Sequence, residues 1–223
     1  MNPTLRDVHE NMRDLGLGAL AHANWHVNYS HDNRWTPELA ALQAAHAAEL
    51  LIKARIAEEH PLLIFERLPR QSHAPDGHLD FRDLFENGRA LDYAELPARL
   101  WAATGIDLPE RERYERFGRL RNAIQHFAPP HEDVGNEVRQ FIYGVIDPFI
   151  NACWGLFAID YNEDHEPYVY LMGTLFRDQV PFLMSPDAAA HFEDCKDEMK
   201  NANAAYRKKM VARARAASKR QRR

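Results

Sequence analysis

The chain has 223 residues, 45% of them hydrophobic, which is enough for a sizeable core and excludes a mainly disordered chain. Its two cysteines, Cys153 and Cys195, lie far apart without a metal-type spacing, which excludes a disulfide scaffold and points to a reducing cytoplasm. The net charge is -5, yet nine of the 28 Lys/Arg and no Asp/Glu fall in residues 207–223, leaving 19 basic against 33 acidic residues, a formal -14, in residues 1–206.

Residues 1–10 hold no apolar stretch of the secretory kind, and apolar runs such as 61–65 are too short to span a bilayer. A cytoplasmic chain without membrane contact is therefore expected. Leu5, Val8, Met12, Leu15 and Leu20 predict a helix over 4–28, weakened by Gly16 and Gly18. Residues 29–35 are rich in turn formers. Thr36-Pro37-Glu38 reads as a capped helix start, and the helix is expected to run to 59, before Pro61. Residues 67–80 read as a loop, followed by short helices over 81–86 and 93–104. A marked helix over 109–127 carries Tyr114, Phe117, Leu120 and Ile124 and stops at Pro129-Pro130. The next helix, over 132–156, is expected to kink at Pro148. Residues 168–184 read as a small hairpin, and Pro186 opens a last helix that fades into the basic tail. The expected organisation is an all-α domain over 1–160, an extension over 161–206 and a tail over 207–223.

One segment combines groups with chemistry: Arg121-Asn122-Ala123-Ile124-Gln125-His126-Phe127. Arg followed by a polar residue, with His shortly after at the end of a late helix, resembles the signature of the HEPN domain family. The earlier helix around His46, Glu49 and Lys53 is similar to that family's long amphipathic helix. The resemblance covers roughly residues 36–150. It implies a HEPN-like bundle of about four or five helices, working as a homodimer in which two motifs face each other. Many members are ribonucleases of toxin–antitoxin and other defence systems, with a protein antitoxin as a partner. Others are non-catalytic nucleotide-binding or scaffold proteins. Some of the toxins carry a modified Tyr two residues after the His, where this chain has Ala128.

The residue types suit RNA cleavage on their own account. RNA carries its nucleophile, the 2′-hydroxyl, so no metal or other cofactor is required. Histidine is the side chain suited to moving protons near neutral pH, which assigns that part to His126; Arg121 binds phosphate oxygens bidentately, and Asn122 orients. A straight helix sets residues five apart at about 140°, so Arg121 and His126 meet either by unwinding of the last turn or across a dimer. The bland alternative pairs Arg121 with Glu115 or Asp133 and makes His126 a cap. His46, Glu49 and Lys53 share a face and serve as supporting residues or as a solvated Glu49–Lys53 ion pair. The tail residues Arg207, Lys208, Lys209, Arg213 and Arg215 are nucleic-acid-binding candidates or merely solubilising. His22 and His26, four apart, have a spacing that suits a metal, but the flanking Trp25 and Trp35 favour packing.

Overall fold

The computed structural model describes residues 5–29, 35–73, 77–127, 133–164 and 167–220 and is mostly helical. In order come α1 (Val8–Tyr29), α2 (Thr36–Glu59), a 3-10 turn (Pro61–Ile64), β1 (Phe65–Arg67), α3 (Phe81–Asn87), β2 (Arg89–Ala90), α4 (Leu96–Thr104) and α5 (Arg111–His126). Then follow α6 (Val134–Phe141), a π turn (Ile142–Ile146), α7 (Asp147–Trp154), α8 (Pro167–Arg177), α9 (Pro186–Ala190), α10 (Phe192–Cys195) and α11 (Ala204–Arg220). The turn expected around 30–34 and the stop at Pro129-Pro130 lie outside the described residues. No described helix is long and apolar enough to cross a membrane.

The chain divides into two compact units, one from residues 1–17 and 46–108, the other from 18–45 and 109–223. This partition does not follow boundaries at 160 and 206. Residues 167–220 belong to the same unit as α5, α6 and α7, because α8 and α11 bury Leu171, Met172, Leu175, Phe176, Tyr206 and Met210 in it.

In the first unit, Leu51, Ile52 and Ile56 of α2 lie in a core with Leu84, Leu96 and Leu100. Gly16 does not break α1. A Cβ there would stand 2.9 Å from the Leu51 side chain, so the glycine admits a close approach of α1 to α2. The loop before α3 is clasped by Asp83, which accepts from His73 Nδ1 at 2.7 Å and from the Ser72 hydroxyl at 2.9 Å. The His73 bond leads the causes that hold this carboxyl down to about 2. A feature absent from the sequence reading is the antiparallel pair β1–β2, with Phe65 opposite Ala90.

The second unit is built around aromatic rings. Phe117 of α5 stacks on Phe141 of α6 at 3.8 Å between centroids, and Arg113 donates to the Gln140 side chain at 3.1 Å, so α5 is held along α6. A π turn directly precedes Asp147-Pro148, with the Asp147 N–H reaching back five residues to Ile142 O; Pro148 itself has no N–H to donate to Gly144. The hairpin expected over 168–184 is corrected: these residues form α8 and then an extended segment. The buried Leu171, Met172, Leu175 and Phe176 recur at helical spacing and outweigh the β-preference of Tyr168, Val169 and Tyr170.

Candidate active site

Arg121, Asn122 and His126 occupy the last turns of α5. The helix closes normally, with the Phe127 N–H donating to Ala123 O at 2.9 Å. The last turn therefore does not unwind, and Arg121 and His126 of one chain stay on different faces. His126 is exposed and its side chain makes no hydrogen bond among the described residues. Arg121 is half-buried and donates to the Asn122 side-chain oxygen at 3.1 Å.

The two carboxylates expected as alternative partners of Arg121 are engaged elsewhere. Glu115 pairs with Arg111 at 3.0 Å, and Asp133 caps α6 by accepting from the Asn136 N–H at 3.1 Å. Arg121 has no ion pair among the described residues. Its guanidinium keeps donors available for an oxyanion.

The apolar stripe of α5 changes character along its length. Tyr114 and Phe117 are fully enclosed, Leu120 and Ile124 are half-buried, and Phe127 is 92% exposed. The uncovered end of the stripe coincides with the Arg121–His126 segment.

The other candidates separate. His46, Glu49 and Lys53 fall in the first unit, and Arg121, Asn122 and His126 in the second. Lys53 does bind Glu49, Nζ to Oε1 at 2.6 Å, and the pair is solvated on one side only: Lys53 is 8% exposed, whereas Glu49 is half-buried. His46 is exposed. Residues 204–220 form a helix rather than a free tail, seated through Tyr206, Met210, Ala214 and Ala217. Lys208, Lys209 and Arg215 project outward, and Arg207, also exposed, donates to Lys200 O at 3.4 Å. Arg213 turns inward to donate to Phe182 O beside Asp147; burial pulls its pKa down and Asp147 opposes that.

Sequence reasoning missed the polar cluster in this unit. Asp147 is fully buried and accepts the N–H groups of Ala158 at 2.9 Å and Leu183 at 2.7 Å, and burial pushes its carboxyl up to about 7. The Tyr143 hydroxyl donates to Asn24, whose amide donates to Ala158 O and Tyr161 O. Each of these bonds joins segments distant in sequence, and no local motif announces them. His22 and His26 bring their Nε2 atoms within 2.9 Å, and Glu163 binds the other nitrogen of His22 at 2.9 Å. No group of three or more His, Cys, Asp or Glu is placed to hold a metal among the described residues. Comparison of the chain with family models, with curated proteins and with solved structures finds no match in any of the three.

Proposed function

We propose that this chain is a metal-independent endoribonuclease of the HEPN type, a toxin or defence effector that works as a homodimer. The observation that carries the reading is the state of Arg121: it has no carboxylate partner among the described residues, at the end of a helix that also carries the exposed His126. In the reaction the 2′-oxygen attacks the adjacent phosphorus and the 5′-oxygen departs. His126 takes the 2′ proton as the bond from O2′ to phosphorus forms and, as the imidazolium, returns it to the 5′-oxygen as that bond breaks; Arg121 holds the non-bridging oxygens, and Asn122 orients Arg121. The products carry a 2′,3′-cyclic phosphate and a 5′-hydroxyl.

Helix geometry supports a site shared by two chains. With about 140° between Arg121 and His126, Arg121 of one chain meets His126 of the other. The open stripe ending in Phe127 supplies apolar surface for such a contact.

The test is incubation with mixed RNA in EDTA beside His126→Ala. Wild-type cleavage leaving cyclic phosphates, reduced at least about a hundredfold by the substitution, is the expected result. Equal cleavage by both overturns the assignment of His126. Absence of cleavage by either favours a non-catalytic HEPN-like binding or scaffold protein.

A further inference from the structure

The first unit contains a half-open cavity of about 260 Å³ whose walls, from Met12, Ile64, Phe65, Leu84 and Phe85, are almost entirely apolar. One charged side chain lines it, Lys53. We propose that this cavity is a binding site for a small neutral molecule with an apolar body and a single carbonyl acceptor, such as a short acyl or aryl amide or ester.

Size sets the first limit. An apolar cavity of about 150 Å³ takes benzene, so this one takes about ten heavy atoms. That is less than a drug-sized ligand, whose sites start at about 300 Å³. Phe81 and Phe85 line the same cavity while remaining largely exposed, which gives an occupant an aromatic rim. Gly88 lines it too, and a Cβ there would stand 2.5 Å from Leu84 O and 3.0 Å from the Phe65 ring. The wall is thus closely fitted without a side chain at that point.

Lys53 sets the polarity. An ammonium has three donors. One is used on Glu49, and among the described residues the other two have no partner, although the residue is 8% exposed. Donors left without acceptors in an apolar wall are costly, and a ligand carbonyl relieves that cost. The Lys53–Glu49 pair already sums to zero charge. A neutral acceptor adds no unbalanced charge, whereas a carboxylate places a second anion beside Glu49.

Octanamide, with ten heavy atoms, is the probe, titrated into the ¹⁵N-labelled full chain. Saturable shifts at the amides of Leu84, Phe85, Gly88 and Ala90 are expected, with octanoate binding more weakly. Lys53→Met removes the donors and leaves Glu49 partly open to water; it is expected to weaken octanamide about fivefold. Ala90→Trp fills the mouth from an exposed strand position, leaves Lys53 in place and abolishes the shifts. Should Lys53→Met fail to fold, Ala90→Trp and the octanoate comparison decide. The proposal is overturned by absence of saturable shifts, by shifts confined elsewhere, by octanoate binding as tightly as octanamide, or by a folded Lys53→Met with unchanged affinity.

Discussion

Asp147 ties the start of α7 to two distant segments, and its titration should be visible in the stability of the protein. Its carboxyl is raised from 3.8 to about 7, chiefly by burial. Between those values the native state holds a proton that the unfolded chain has released. The contribution to stability is therefore fully present below about pH 4 and is lost as pH rises through about 7. Urea midpoints measured from pH 5 to 8 should fall with pH more steeply for the wild type than for Asp147→Asn, which has nothing to titrate there. The variant also turns an amide NH₂ toward one of the two backbone N–H groups that Asp147 accepts, so a loss of about 1–3 kcal/mol is expected at low pH. Parallel pH profiles for the two proteins would show that Asp147 titrates normally in the fold. Arg213 lies beside this carboxylate and donates to Phe182 O, which takes it out of the outward-facing basic set.

Helix α11 combines a structural face and a charged face, and the two require different tests. Tyr206, Met210, Ala214 and Ala217 are buried, and the Tyr206 hydroxyl donates to Leu175 O and Val180 O at 3.1 and 2.8 Å. Deleting residues 207–223 should therefore abolish cooperative unfolding of the second unit, since removal of Met210 alone is worth about 2–5 kcal/mol. Loss of RNA binding in that truncation would say nothing about charge. Changing Lys208, Lys209 and Arg215 together to Gln leaves the buried face intact. If these residues meet phosphates, the slope of log affinity against log salt should fall by about 2, at roughly 0.7 per contact on single strands. An unchanged slope would remove α11 from the RNA surface. The buried face was legible in the spacing of Tyr206, Met210, Ala214 and Ala217, but the surrounding cations made the segment read as a tail. In α8, Tyr168-Val169-Tyr170 suggested a strand, while the decisive pattern was the helical recurrence of Leu171, Met172, Leu175 and Phe176. The bounds of α2 and α5 were read closely because their signals are local: Thr36 and Pro37 at one start, Pro61 and Pro129 beyond the ends. The strand pair of Phe65 with Ala90 and the Asp147 cluster arise from contacts between distant residues, which periodicity does not encode.

At the scale of the whole molecule, the proposed site makes a demand that one chain does not meet. Alpha-helix geometry continues to His126, so a chain's own Arg121 and His126 diverge by about 140°, and the working unit proposed above is a cross-pair. A symmetric dimer contains two cross-pairs, each made of Arg121 from one chain and His126 from the other. Arg121→Ala and His126→Ala homodimers then both lack any complete cross-pair and should be inactive. Unfolding and refolding the two variants together in equal amounts makes half of the dimers mixed. In a mixed dimer one cross-pair has lost both groups and the other is intact. Activity should therefore return to about a quarter of the wild-type level, half the dimers each carrying one of two cross-pairs. If the pair instead works within a single chain, neither variant contains a complete one, and mixing restores nothing. Phe127→Ser, which removes the exposed ring at the end of the open stripe, should shift the sedimentation of the protein toward the monomer and lower cleavage in parallel. Cleavage that survives in a monomeric Phe127→Ser protein would place the working pair inside one chain, by a rearrangement of the last turn of α5.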